Sequence, residues 1–116
     1  MAQIIVFVPN GMSIDQQRKV MYAMKQSFND TLNWKNSQTG ACVREYRPED
    51  SENGKISCVV YTTVGKSDDI KEKLATLFHN NCVEALGDKN LETFVVYEEH
   101  TRSNVCRFGR LASLIE

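Results

Sequence analysis

The sequence contains one structural unit twice. Residues 3–33 (QIIVFVPNGMSIDQQRKVMYAMKQSFNDTLN) are repeated, 54 positions later, as residues 57–87 (SCVVYTTVGKSDDIKEKLATLFHNNCVEALG). In each copy an apolar run leads to a glycine, then to a serine, and then to about five turns of helical periodicity. Two copies are too few for a solenoid, which needs about three or more. The repeat therefore predicts a fused pair of β-α-β modules.

The size and charge of the chain limit the classes of protein to which it can belong. The 116 residues suit one domain, 1–116, with a single modest core. The chain carries 14 basic and 15 acidic residues, so it lacks the basic surface that nucleic-acid and anionic-membrane partners require. Its N-terminus lacks the features of a signal peptide. We expect a cytoplasmic protein with neither nucleic acid nor a membrane as a partner.

The four cysteines do not form a recognisable metal or disulfide pattern. Cys42, Cys58, Cys82 and Cys106 include no C-x-x-C pair and are not clustered with histidine. A structural zinc site needs such clustered ligands at close spacing. We therefore expect four reduced thiols, no metal and no cofactor.

The local signals place a strand and a helix in each repeat. The β-branched runs 4–8 and 58–61 are typical of strands buried on both faces. Ser13 and Ser67 are predicted to cap the helices that follow, and Gly87 is predicted to end the second helix. Further strands are expected at about 41–47 and 93–99. The Asn53-Gly54 pair between the repeats predicts a turn that returns the chain as a hairpin.

These elements predict an α/β sandwich with a four-stranded mixed sheet. Right-handed crossovers would place both helices on one face of the sheet. The other face would then be bare, although its strands are apolar on both sides, and such a surface normally marks an interface. We expect a homo-oligomer in which sheets pack together. In the alternative, the C-terminal tail and loops cover this face in a monomer.

The duplicated β-α-β unit with Gly65-Lys66-Ser67 after a strand resembles the tautomerase superfamily. The segment VVYTTVGKSDDIKEKLATLF is similar to the start of 4-oxalocrotonate tautomerase, and EEHTRSNVCRFGRLA resembles the cis-3-chloroacrylic acid dehalogenase branch. The resemblance implies a trimer of subunits with two repeats, at about 2–50 and 55–112. It also implies that an N-terminal proline amine transfers protons while basic residues hold the carboxylate of the substrate.

The chain departs from this family at its start, where Ala2 stands in place of the proline. If Met1 is removed, Ala2 supplies a primary amine with a reference pKa of about 7.7–8.0. This amine would act as a general base or form a Schiff base. If Met1 stays, the amine is displaced by one residue. Pro9 is no substitute, because its nitrogen is an amide at the far end of the strand.

The resemblance also implies which other residues belong to the site. Lys66 corresponds to a basic residue that binds the substrate carboxylate, and Glu99 to an acid that activates water in the dehalogenase branch. Thr63 replaces an arginine of that branch and Asn29 replaces a histidine, which argues against hydrolytic dehalogenation. All four are candidate site residues.

Two further groups of candidates lie on the second strand and in the tail. Phe108 and Arg110 match an aromatic-Gly-Arg pattern, in which the aromatic ring lines the pocket and the arginine binds a carboxylate. Arg44 and Arg47 lie where the family has a substrate-binding arginine. The sequence does not decide which of them faces the pocket, because a slip of one residue reverses the face.

The function predicted is that of a tautomerase-like protein acting on, or binding, a small 2-oxo or unsaturated carboxylic acid. Proton transfer by the Ala2 amine would make it an enzyme. The alternative is a non-catalytic binding or interaction protein that kept the fold and lost the catalytic proline.

Overall fold

The computed structural model describes residues 2–35, 38–52 and 55–114. The first repeat forms β1 (Ala2–Pro9), α1 (Ile14–Leu32) and β2 (Thr39–Tyr46). The second repeat forms β3 (Ile56–Thr63), α2 (Asp68–Leu86) and β4 (Thr93–His100). A small hairpin follows, β5 (Cys106–Arg107) and β6 (Arg110–Leu111). Single turns of 3₁₀ helix lie at Pro48–Asp50, Arg102–Asn104 and Ala112–Leu114.

The helix ends follow the sequence signals. The hydroxyl oxygens of Ser13 and Ser67 accept hydrogen bonds from the N–H groups three residues later, at 3.1 and 3.3 Å. Gly87, at φ 63°, ends α2 in the left-handed conformation, and Asn33, at φ 54°, does the same for α1. The caps bond backbone groups that have no partner inside the helix. The predicted N-caps and the Gly87 helix end are confirmed.

The two repeats join through their first strands. The strand order is β2-β1-β3-β4, with parallel pairs β1–β2 and β3–β4 and an antiparallel pair β1–β3. Ile5 pairs with Val59, its equivalent in the second repeat. A pseudo-two-fold axis therefore passes between these two residues and exchanges the repeats.

The prediction that a hairpin joins the repeats is wrong, because the strands before and after the turn, β2 and β3, do not pair with each other. Asn53 and Gly54 themselves lie outside the described residues, but β2 and β3 are not neighbours, because β1 lies between them. Pairing β1 with β3 places the two most apolar strands in the centre of the sheet. The charged strand β2, with Arg44 and Glu45, is left at an edge, where charge is tolerated.

The core lies between one face of the sheet and both helices. Alternate strand residues point into it, which explains why they are fully or almost fully buried: Ala2, Ile4, Val6, Val8, Ile56, Cys58, Val60 and Thr62. The helices supply Met24, Phe28, Leu74 and Phe78 to the same cluster. Among the described helices none is long and apolar enough to cross a membrane.

The opposite face of the sheet is bare and apolar, as the strand sequences predict. It carries Ile5, Phe7, Val59, Phe94 and Val96, and the Phe94 side chain is 49% exposed. The described part of the C-terminal tail reaches one end of this face only, where Val105 and Cys106 lie near Gln3 and Tyr61. We call this surface the bare sheet face.

Candidate functional site

Four residues, one from each strand, lie in a row across the sheet at the end where β1 begins. Ala2 pairs with Thr39 of β2 on one side and with Thr62 of β3 on the other, and Thr62 pairs with Glu99 of β4. All four side chains lie on the face that the helices cover. Since neighbouring strands are about 4.8 Å apart, Ala2 and Glu99 are separated by roughly 10 Å. We call this set the Ala2 row.

The start of β1 lies inside the protein. Ala2 is 5% exposed, and Thr39 and Thr62 beside it are buried. The Thr39 hydroxyl oxygen is buried and makes no hydrogen bond in the described part of the chain. A buried polar atom without a partner is costly, and such atoms are rare in folded proteins. The Ala2 row therefore has an unused hydrogen-bonding group beside the chain start.

Lys66, in the loop after β3, supplies a positive charge near Glu99, at the β4 end of this row. It follows Gly65, whose φ of +107° is one that glycine adopts without strain. The Lys66 ammonium lies 5.0 Å from the centre of the Trp34 ring and 6.0 Å from that of Phe28. It donates its one hydrogen bond within the described residues to the Thr63 carbonyl, at 3.2 Å. Two of its three N–H donors are thus available to a ligand.

Phe28 and Trp34 form an aromatic platform under Lys66. Their ring centres are 5.0 Å apart and their planes differ by 37°. Phe28 is fully buried in α1, and Trp34 lies just beyond the end of that helix. The platform desolvates the ammonium, and this burial lowers the pKa of Lys66, with a smaller contribution from nearby Lys71; the negative charge of Glu99 acts in the opposite direction. The sequence does not predict a site role for either ring.

Glu99 is held by two donors. Its carboxylate forms an ion pair with Lys71 of α2, in which the two side chains are 26% and 25% exposed. It also accepts a hydrogen bond from the backbone N–H of Gly65, next to Lys66. The hydrogen bond from Lys71 is the main reason why the pKa of Glu99 is lowered. Glu99 is therefore ionised near neutral pH and is a weak base.

Two cavities lie at the same end of the sheet. The larger, of about 690 Å³, lies between the ends of β3 and β4 and the C-terminal segment, and its lining includes Thr63, His100, Arg102 and Arg107. The smaller, of about 260 Å³, is lined in part by Ala2 and His100. The larger cavity is within the size range of small-molecule sites.

The candidate residues predicted from the sequence do not all lie together in the structure. Ala2 and Glu99 belong to the Ala2 row, Lys66 lies near Glu99, and Thr63 lines the larger cavity. Asn29 is half-buried on α1, next to Phe28.

The tail candidates lie on the exposed β5–β6 hairpin. Phe108 and Gly109 have positive φ values of 52° and 75° at the tip of the β5–β6 hairpin, and Phe108 is 92% exposed. Arg110 is exposed on the same hairpin and does not line the larger cavity, whereas Arg102 and Arg107 do.

The structure also shows where the two arginines of the second-strand region lie. Arg44 pairs with Phe7 and therefore lies on the bare sheet face, opposite the Ala2 row. Arg47 follows β2, and its Nε donates to Asp50 at 2.7 Å.

The other end of the sheet lacks this chemistry. The pseudo-two-fold axis relates Ala2 to Ile56, Thr62 to Val8, and Lys66 to Met12. The equivalent of the aromatic Trp34 is Asp88. The duplication therefore builds two similar ends, and among the residues that the structure describes only the end at Ala2 carries a cation over aromatic rings.

The sequence matches no family model, and no match was found among curated proteins. Solved structures, in contrast, match over almost the whole chain. Pt0534 inactivated by 2-oxo-3-pentynoate is similar with a TM-score of 0.85 and 13% identity, covering 98% of this chain and 99% of that one. The FG41 malonate semialdehyde decarboxylase inhibited by 3-bromopropiolate has a TM-score of 0.84 and 12% identity, covering 97% and 94%.

A third similar structure is the asymmetric trimer of the F6 fused 4-OT. It has a TM-score of 0.84 and 12% identity, and the alignment covers 97% of this chain and 98% of that one. All three proteins are tautomerase superfamily members. The duplicated β-α-β chain described here therefore has the fold of the tautomerase superfamily.

Proposed function

We propose that the end of the sheet at Ala2 binds a small 2-oxo or unsaturated carboxylic acid and catalyses its tautomerisation. The observation that carries this proposal is the Lys66 ammonium, which lies on an aromatic platform, makes one hydrogen bond within the described residues and lies near Glu99, at the β4 end of the row that begins with buried Ala2. A carboxylate would pair with Lys66. The ligands of two similar structures, 2-oxo-3-pentynoate and 3-bromopropiolate, are themselves small unsaturated acids.

The Ala2 amine is the proposed proton carrier, provided that Met1 is removed. The neutral amine accepts the proton of an enol hydroxyl, and the resulting ammonium returns a proton to the adjacent carbon. The sum is a keto–enol isomerisation with no net consumption of protons. Thr39 and Thr62 flank the amine, and the Thr39 hydroxyl, which has no partner in the described part of the chain, would bond to the enol oxygen. Glu99, as a paired carboxylate, contributes charge to the site, and dehalogenation by activated water is the less favoured reaction.

The proposal includes assembly as a cytoplasmic homotrimer without a metal or cofactor. The bare sheet face supplies a large apolar contact surface, and one similar protein is a trimer. Phe108 and Arg110 are exposed on the β5–β6 hairpin, so in the trimer they would be available to a neighbouring site. The four free cysteines support a reducing compartment.

The second candidate function is binding without catalysis. Ala2 in place of a proline favours it, because a primary amine lacks the ring that fixes the direction of the proline nitrogen. In that case Lys66 and its platform would still bind the carboxylate.

The test of the catalytic proposal is the ketonisation of phenylenolpyruvate, combined with the intact mass of the protein. We expect a mass without Met1 and a rate above background. Lys66→Ala should lower kcat/KM by about tenfold, or 1.4 kcal/mol, because the carboxylate loses its cation. Lys73→Ala, which changes an exposed lysine of α2, should leave the rate unchanged. A retained Met1 excludes the amine mechanism, and an unchanged rate in Lys66→Ala excludes the site.

Ala2→Pro separates the two candidate functions. If the pocket binds substrate and only the base is suboptimal, the proline variant should ketonise phenylenolpyruvate at least about tenfold faster, since general acid–base catalysis contributes up to about 10⁴-fold. Initial rates at saturating substrate measure this. A variant that binds the substrate but stays at the background rate would favour the binding protein.

A further inference from the structure

The two repeats contain the same contact between a helix and a strand, with one chemical difference. In the first repeat the Gln17 side-chain amide donates to the Glu45 carboxylate at 2.7 Å. In the second repeat Lys71 donates to Glu99. Residues 17 and 71 are equivalent, as are residues 45 and 99. A neutral donor thus holds the glutamate at one end of the sheet and a cation holds it at the other.

The fold does not require a charge at this position. Gln17 makes the contact without one, and both repeats have the same helix and strand lengths. The charge of Lys71 coincides with a second difference between the repeats, which is Lys66 in place of Met12. Within the described ranges, two lysines lie near one carboxylate only at the end that carries the candidate site.

The charges around Lys66 explain why a second cation is useful there. Glu99 of β4 forms an ion pair with Lys71 of α2. The loop that carries Lys66 is joined to the end of β4 by the hydrogen bond from the Val64 N–H to the His100 carbonyl, at 2.9 Å. Lys66 therefore lies within range of both charges, and both affect its pKa. Tyr97, whose hydroxyl donates to the Lys71 carbonyl at 2.7 Å, is neutral because burial raises its pKa. Without Lys71, Glu99 would be the counter-ion of Lys66 and would compete with any anionic ligand. With Lys71 the three side chains sum to one positive charge.

We propose that Lys71 is a positioning residue that binds Glu99 and thereby keeps the Lys66 ammonium available for the carboxylate of a ligand. The loop that carries Lys66 is held beside Glu99 by the hydrogen bond from the Val64 N–H to the carbonyl of His100, the next residue of β4, at 2.9 Å. The ligand part of this inference rests on the proposed function. The part that concerns the charges of Lys66, Lys71 and Glu99 does not depend on the proposed function, and it can be tested without a ligand.

The test uses Lys71→Gln, which gives the second repeat the donor that the first repeat has. The contact with Glu99 is retained, so the fold should be stable. The titration of the Lys66 side chain, followed by NMR in protein with labelled lysine, should move to higher pH, because the repulsion from Lys71 is removed and Glu99 becomes its counter-ion. Lys71→Gln combined with Glu99→Gln should move it back towards the wild-type value. A role that is only structural would not produce this reversal.

Pyruvate binding gives the second measurement. Lys71→Gln should weaken the Kd for pyruvate by about fivefold, as expected for a partly exposed ion pair worth about 1 kcal/mol, and the double variant should restore it. Lys73→Gln is the control and should change neither quantity. An unchanged Lys66 titration in Lys71→Gln overturns the inference. If the titration moves as expected but the wild type does not bind pyruvate, the inference about charge stands and the proposed function fails.

Discussion

Phe28→Ala should lower the free energy of unfolding by about 3–5 kcal/mol, the range for removing a buried aromatic ring. It should also abolish detectable binding of pyruvate. Phe28 is fully buried, stacks on Trp34 at 5.0 Å and lies 6.0 Å from the Lys66 ammonium. The substitution therefore removes core contacts and half of the aromatic platform together. Urea unfolding measures the first effect, and titration with pyruvate under native conditions measures the second.

Phe78→Ala is the matched control for this experiment. Phe78 is also fully buried, but it lies on α2 and is not one of the rings beside Lys66. We expect a similar loss of stability with pyruvate binding retained in the folded protein. Equal loss of binding in both variants would mean that Phe28 acts through stability alone. Retained binding in Phe28→Ala would show that the platform does not position Lys66.

The elements of the fold were predictable because their signals are local. Each repeat has a continuous apolar strand, a serine at the position of the N-cap and an apolar ladder along its helix. These signals are independent of the rest of the chain, and they occur twice. The bounds shifted by a few residues, since β1 runs to Pro9 and begins at Ala2.

The order of the strands was harder to predict because it depends on contacts that are distant in sequence. The Asn53-Gly54 pair is a strong local turn signal, but it cannot tell which strands the turn connects. The register of β1 and β3 puts Ile5 opposite Val59, and this pairing buries both apolar strands in the centre of the sheet. The energy of that burial decides the topology, and a local dipeptide does not.

The candidate site was predictable only in part. Gly65-Lys66-Ser67 is a short motif, and it singled out the lysine that lies over the Phe28 and Trp34 rings, whose role in a site stays a prediction. The platform was missed because Trp34 lies after a helix end, where no periodicity applies. Lys71 was also missed, although a signal existed: when the repeats are aligned, Gln17 and Lys71 stand four residues after Ser13 and Ser67. The importance of this Gln-to-Lys difference is apparent only in the structure, where Gln17 contacts Glu45 and Lys71 contacts Glu99.

Val59→Arg should convert the proposed trimer into a monomer. Val59 lies in the centre of the bare sheet face, next to Ile5 on the pseudo-two-fold axis, and apolar side chains surround it. An arginine there would have to be buried without a partner when sheets pack together, which costs several kcal/mol. In the separated chain the same arginine is exposed to water, so the stability of the fold should change little.

The mass measured by light scattering tests this prediction, and Tyr22→Arg is the control. Tyr22 is an exposed aromatic residue on α1, on the opposite side of the molecule from the bare sheet face, so its replacement should leave a trimer. A trimeric Val59→Arg would mean that another surface forms the interface. A monomeric wild type would contradict the assembly itself. The site would then have to work within one chain, and substrate binding would depend on Lys66, Thr63 and the two arginines that line the larger cavity.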